Sequence, residues 1–385
     1  MVRLFSEPLL DSGDHDVIEQ IHDIRSSLAQ SLRVPKRWTG GIRRTTEARA
    51  IQASNSIEGY TVDQGDALAA VDDEPPIKAD QSTWLEIRGY RRVLTYVINV
   101  GCQVKVLDES TLRSMHFMLL EHDLAKSPGR YRSGPIYVSG PQGIVYTAPD
   151  AELVPGLMTE FIDSLGSSTT ISLVRAALAH LNLVMIHPFR DGNGRMARAL
   201  QTMVLGQDGI LEPAFSSIEE WLGRNTADYY AVLAATGGGS WHLERDAGLW
   251  VRFNLRAYHM QAQTIQRRLA EANKQWEVID EFMAADRLDE RMADALFDTW
   301  LGLRLTRPGY TKRTGLDPRT ATRDLTRLVE ADILQAHGQT RGRYYTAGPR
   351  LLAARDSLRR HRQPLADPYP DLTTQIASAA KELSD

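Results

Sequence analysis

A single cysteine, Cys102, in 385 residues leaves nothing from which to build an intramolecular disulfide framework or a thiolate metal cluster. Its setting, VINVGCQVKVL, reads as a small buried apolar position. No stretch approaches the roughly 20 apolar residues of a membrane-spanning helix. The opening MVRLFSEPLLDSGDHD has no apolar run of signal-peptide length, and its acids argue against a transit peptide. Charge of one sign is missing too: 45 basic against 49 acidic side chains leave a net −4, too little for overall attraction to nucleic acid or an anionic membrane. No internal repeat or low-complexity tract is present. A cytoplasmic protein with no membrane partner is the expectation.

What is there is ordinary globular composition, 42% hydrophobic and 24% charged, in a chain long enough for two or three domains. Helical periodicity dominates. Val17, Ile21 and Ile24 share one face of a helix over 16–32, and an alanine-rich helix over 41–60 should stop at Gly59. Further helices are expected over 82–100, 108–122, 150–165 and 170–186. The last is apolar almost all round, with Ile171, Val174, Leu178, Leu181, Val184 and Met185, and belongs at the centre of a bundle. Between 128 and 149 the β-prone pieces IYV and IVY flank SGPQG, a small hairpin. Helix resumes from 217 to about 285, broken by the three glycines near 235–242.

The residues that a packed core would not choose are concentrated in HPFRDGNGRMAR, 187–198. Proline pushes His187 out of helical dihedrals and ends the preceding helix. The next should start near Gly192 to Gly194, where unpaired N–H groups and the positive dipole end make an anion site. Glycines around Asn193 let the backbone approach a ligand. Arg195 and Arg198 lie one turn apart and can address one anion, and that much positive charge suits a polyphosphate. Asp191 offers the oxygen ligand that Mg²⁺ needs when phosphates supply the others. His187, neutral near pH 7, can take a proton from an attacking hydroxyl, and Phe189 points away into the core.

The stretch matches H-x-F-x-[D/E]-G-N-G-R-x-x-R without a mismatch and so resembles the signature of the Fic family. The likeness extends over roughly 80–240, through GRYRSG, YTAPDAELVPGLM and AALAHLNLVMIHPF. It implies a mostly α fold, a Fic-type helical bundle with a small β-hairpin flap. It also implies transfer of AMP from Mg–ATP to a Tyr, Ser or Thr hydroxyl of a protein target, with self-modification expected. Carried over residue by residue, His187 is the general base and Asp191 holds Mg²⁺. Asn193 and the Gly192 and Gly194 backbone cradle the phosphates, Arg195 binds the β-phosphate side and Arg198 the γ-phosphate. The hairpin becomes a flap on which the target's backbone adds as a strand, with Ile144, Val145 and Tyr146 the pairing piece. Tyr229 and Tyr230 are candidates to line the base pocket.

SNSIEG, 54–59, resembles the family's inhibitory motif [S/T]-x-x-x-E-[G/N], with Ser54, Glu58 and Gly59 in place. A Glu58 that reaches Arg198 takes the guanidinium meant for the γ-phosphate and leaves ATP misaligned. The reverse reaction, removal of AMP, uses the same site in some inhibited relatives. From Arg304 to Arg343 nine Arg/Lys face four Asp/Glu, a local +5, in the element order of a winged helix-turn-helix. Arg319, Thr320, Thr322 and Arg323 on its second helix and Arg341 and Arg343 on its wing are candidate DNA contacts, and a protein partner is the other use of such a module. A DNA-binding regulator whose Fic core senses nucleotide is therefore the rival reading. A homodimer that controls access to Glu58 is a further expectation. The expected organisation is an N-terminal helical region to 79 with the inhibitory helix at 41–59, the Fic core at 80–240 and a connector at 241–288. The winged helix follows at 289–350, and a loosely packed tail at 351–385.

Overall fold

A computed structural model describes residues 4–100, 103–104, 107–140, 143–167, 170–241, 246–339, 342–359 and 363–382. Cys102 and Arg341 lie outside these residues, so neither expectation about them is addressed. The chain divides into two compact units, one of Met1–Arg33, Thr46–Thr264 and Ala366–Asp385, the other of Val34–Thr45 and Ile265–Leu365.

The first unit is helical, as expected, and several of its helices begin at an aspartate that caps them. Asp11 opens α1 (Ser12–Leu32): its carboxylate accepts from the Asp14 N–H while Asp14 accepts from the Asp11 N–H. Next come α2 (Thr39–Ile57) and α3 (Gln64–Val71), the latter capped by Asp63. Asp80 caps α4 (Gln81–Asn99) and Asp108 caps α5 (Glu109–Leu120). A Cβ on Gly89 would run into the Leu119 carbonyl, so α4 and α5 meet backbone to backbone.

The hairpin pairs β1 (Tyr137–Gly140) with β2 (Gly143–Thr147) and carries a bulge after Val138. Both strands reach further toward the turn than the sequence pieces IYV and IVY indicate. Beyond it, α6 (Val154–Ser167) leads to α7 (Ser172–Ile186), which packs along α8 (Asn193–Gly206). Val174, Leu181, Phe189, Met196 and Leu200 are fully buried there and form the core that carries the site. Ile171, expected inside, sits at the cap and is 38% exposed, because the helix starts one residue after it. Short helices α9 (Pro213–Ser216), α10 (Glu219–Arg224) and α11 (Thr226–Gly237) precede α12 (Gly248–Ala285), which belongs to this unit as far as Thr264 and to the second from Ile265.

The second unit contains α13 (Ala293–Trp300), β3 (Leu305–Thr306), α14 (Arg307–Thr314), α15 (Pro318–Glu330), β4 (Leu334–His337), β5 (Tyr344–Ala347) and α16 (Pro349–Arg359). Its antiparallel sheet runs β3-β5-β4, so a third strand joins the two expected. Trp300, Ala347 and Leu351 make its core with Val278 and Phe282.

The last segment is not a loose tail. It folds as α17 (Leu372–Glu382) in the first unit, where Leu372 and Ile376 are buried, Tyr369 donates to Asp14 at 2.8 Å and Asp367 pairs with Arg256. Two apolar residues four apart were enough to anchor one face of a short helix in a polar sequence.

Candidate active site

His187 ends α7 in a left-handed conformation, φ 52° and ψ 56°, which a non-glycine residue holds only when its surroundings insist. They do. The His187 N–H donates to Leu183 O, and Arg132 grips the other side, with its Nε on His187 O at 2.8 Å and its N–H on Pro188 O. Arg132 spends its remaining donors on the carbonyls of Gly134 and Pro149. Within the ring, Nδ1 donates to Val184 O at 3.0 Å, which leaves Nε2 as the acceptor. Burial pushes the His187 pKa below the ordinary histidine value, and the Arg132 charge adds to that, against the Val184 bond.

The loop that follows is closed by its own side chains. Asn193 Oδ1 accepts from the Phe189 N–H and its Nδ2 donates to Phe189 O, so this amide braces the loop. His116 accepts from the Gly129 N–H at Nδ1, donates from Nε2 to Asp191 O at 3.0 Å and stacks on Phe189 at 3.7 Å. Burial lowers its pKa to about 4, so it remains neutral and works as a spacer. Gly192, in the left-handed region, precedes α8, whose first intrahelical bond is Met196 N–H to Gly192 O.

Arg195 and Arg198 are one turn apart, and each guanidinium is paired with a different acid. Residues three apart on a helix of 3.6 residues per turn are about 60° out of line, and each side chain has found its own acid. Arg195, 1% exposed, pairs with Glu86 and lies 5.3 Å over the Tyr60 ring. Arg198, also 1% exposed, donates to Ser54 Oγ at 2.8 Å, Ser54 O at 3.0 Å and Glu58 Oε1 at 2.6 Å. Its Nη1 is buried without a hydrogen-bond partner among the described residues.

Glu58 owes its position to a helix terminus. The Tyr60 N–H bonds to Asn55 O and the Gly59 N–H to Ser56 O, the double closure that requires a left-handed residue, and Gly59 supplies it at φ 87°. Glu58 is therefore the first residue past α2, held against the start of α8. It is so close that a Cβ on Gly194 would collide with Glu58 Oε1. A carboxylate thus already fills the anion site at the α8 N-terminus.

Asp191 accepts from the Gly192 N–H at 2.6 Å, and its Oδ2 pairs with Lys126 Nζ at 2.8 Å. Lys126 also reaches Glu86 Oε1 at 2.7 Å, beside His122 at 3.3 Å. Burial opposes ionisation of Glu86, but Arg195 and Lys126 hold its pKa down at about 2. Arg132, Glu86, Lys126 and His116 were not singled out by sequence reasoning. Among the described residues no three His, Cys, Asp or Glu groups converge to hold a metal. A divalent ion here would have Asp191, 36% exposed, as its one protein carboxylate and would depend on phosphate oxygens for the rest, which fits Mg²⁺.

A cavity of about 900 Å³ opens over His187, Glu58 and Gly194, walled by Tyr229, Tyr230, Met185 and the hairpin. Tyr230 donates to Ile57 O and Tyr229 to His180 Nε2, so both tyrosines are fixed wall. Ile144 is 61% exposed and Val145 also faces out, but Tyr146 is buried with its hydroxyl on Met185 O. Tyr146 anchors the hairpin, so of the three residues expected to pair only Ile144 and Val145 face outward.

Residues 106–205 match the Fic/DOC family. The chain carries a Fic domain. It is 27% identical over 243 residues to protein adenylyltransferase fic-1 of Caenorhabditis elegans, 60% of this chain and 44% of that protein. It is 30% identical over 210 residues to protein adenylyltransferase Fic of Nematostella vectensis, 53% of this chain and 47% of that one. The matches thus span less than half the length of these relatives. In fold, the chain is similar to a Fic family protein from Desulfovibrio desulfuricans G20, with a TM-score of 0.59 and 24% identity over 89% of this chain and 99% of that one. The C. elegans Fic-1 structure (residues 134–508) gives 0.53 at 22% identity over 68% and 73%. Among the described residues no helix is long and apolar enough to cross a membrane.

Of the second unit's expected DNA contacts, Arg319, Thr322, Arg323 and Arg343 are exposed. Thr320 is not free: its hydroxyl and N–H are both taken by the cap residue Asp317. Arg343 lies 5.5 Å over the Tyr345 ring.

Proposed function

We propose that the protein transfers AMP from Mg–ATP to a hydroxyl of a protein target and is held inactive by Glu58. The observation that carries this is the junction of His187 Nε2, free as an acceptor, with an anion site whose buried Arg198 has an uncommitted Nη1. The target oxygen would attack the α-phosphorus, the bond to pyrophosphate would break, and the hydroxyl proton would pass to His187 Nε2. The N–H groups of Gly194 and its neighbours, with Arg198, would hold the outer phosphates once Glu58 has left. Mg²⁺ at Asp191 would neutralise phosphate charge. The hairpin, with Ile144 and Val145 outward, would hold the target's backbone beside the base.

ATP labelled at the α- or the γ-phosphate separates this from other uses of the site. Label should stay on protein, the chain itself included, only from the α-position. Retention from the γ-position would make the protein a kinase and overturn the proposal. The names of the relatives support the adenylyl reading, and removal of AMP remains the same site's reverse reaction.

For the second unit we read the helices α13 to α15 and their three-stranded sheet as a winged helix, with Arg319, Thr322 and Arg323 as an outward stripe on α15. Titration of duplex DNA at about 50 and 200 mM salt should show weak binding that the higher salt largely removes, as a few phosphate contacts would give. Sequence-selective binding that survives the higher salt would favour the regulator instead.

A further inference from the structure

The Glu86–Lys126–Asp191 bridge ties Asp191 of the phosphate loop to two residues, Glu86 and Lys126, that lie outside its signature. Lys126 Nζ sits 2.7 Å from Glu86 Oε1 and 2.8 Å from Asp191 Oδ2, nearly equidistant from two carboxylates that come from α4 and from the loop before α8. The other oxygens are spoken for: Glu86 Oε2 pairs with Arg195, and Asp191 Oδ1 accepts from the Gly192 N–H. Tyr60 and His122 lean on Glu86 Oε1 as well, at 3.2 and 3.3 Å. Two acids and two cations therefore cancel, without nucleotide. The ammonium lies between the two carboxylates, on Glu86 Oε1 and Asp191 Oδ2.

We propose that Lys126 is the resident counter-cation of Glu86 and Asp191, and that it keeps a divalent ion off Asp191 except as part of a nucleotide complex. The charge argument is direct. A bare divalent ion would enter beside Lys126 and Arg195 with no new negative charge to meet it, and in a partly buried site such repulsion is poorly screened. A metal that arrives with a triphosphate brings an excess of negative charge and its own oxygen ligands. Lys126 is 23% exposed and can swing aside once phosphates are present to receive it. The proposal rests on the Mg–ATP reading for its biological sense, but the exclusion of bare metal can be measured without it.

The test is a titration of Mn²⁺, followed by the spectroscopic signal of the free ion, on the full chain without nucleotide. Wild type should bind weakly. Lys126→Met should gain one site at least about tenfold tighter, since the counter-charge is gone and two carboxylate oxygens are left facing the same space. Lys126→Met/Asp191→Asn should lose that site again. Lys126→Arg keeps the charge and should behave as wild type, and a thermal melt of each variant establishes that it is folded. Equal Mn²⁺ affinity in wild type and Lys126→Met would overturn the proposal, as would a Lys126→Arg variant that gains as much as Lys126→Met. With ATP added, wild type should bind Mn²⁺ in a complex with it. Failure of that arm alone would count against the Mg–ATP reading and leave the bare-metal result standing.

Discussion

Replacement of Glu58 by glycine is expected to raise transfer of α-phosphate label about 100-fold at saturating Mg–ATP, the usual penalty for a reacting centre about 1 Å out of place. The contact to be removed is specific. Glu58 Oε1 lies 2.6 Å from Arg198 Nη2 and packs against Gly194, so it takes both the guanidinium and the backbone space that an outer phosphate needs. Burial works against the Arg198 charge, but the Glu58 carboxylate more than compensates and raises its pKa. Removing one partner of such a pair leaves a buried cation uncompensated, which costs about 3–5 kcal/mol in fully buried cases. Glu58 is 25% exposed and Ser54 still accepts from Arg198, so the cost here should be smaller. Two readouts follow. The variant should melt below wild type without nucleotide, and ATP should raise its melting temperature more than that of wild type, because ligand binding to the native state now supplies the missing charge. Equal labelling rates in the two proteins would remove Glu58 from the account of regulation.

How much of this was legible beforehand differs by residue, for physical reasons. The stop of α2 at Gly59 was readable, because a helix needs a left-handed residue to close its last carbonyls and glycine adopts one at little cost. The core position of Phe189 was readable from its setting among polar neighbours. The separate acid partners of Arg195 and Arg198 were not, since spacing puts side chains on a face but does not say which acid each will meet. Glu86 is that acid for Arg195, and a trace of it was present. In α4, Glu86, Tyr90, Val93 and Val97 fall at the spacing of one helical face, and all four are buried. An acid in an otherwise apolar stripe announces a partner, although it does not name it. Lys126 left no such trace, because its role depends on a loop and a helix that only the fold brings together. The same holds for Arg132, whose donors go to backbone carbonyls, groups that have no signature in a sequence. The tail misled because its polar composition concealed Leu372 and Ile376, which bury one side of α17.

The second large effect concerns His187. In the Glu58→Gly background, His187→Ala should lower transfer by about 10²–10⁴, the usual contribution of a positioned base, while ATP affinity stays nearly unchanged. That split follows from geometry: the ring meets Val184 O on one side and the cavity on the other, and Arg198 bonds to Ser54 and Glu58 rather than to His187. The pH profile carries more information than the loss. A base must be neutral to accept a proton, so transfer should fall as pH drops through the His187 pKa. Burial has moved that pKa below the ordinary histidine value of about 6.5, so the acid limb should lie below pH 6.5 and the rate should be flat through neutrality. Glu58 is one of the groups that raises it, so the limb in the Glu58→Gly variant should sit slightly lower than in wild type. Arg132→Met provides the control on cause. Its positive charge lowers the His187 pKa and its Nε holds His187 O, so its loss should move the limb upward and reduce the rate together. A limb at or above pH 6.5 in the parent, or undiminished transfer by His187→Ala, would mean that the proton leaves by another route.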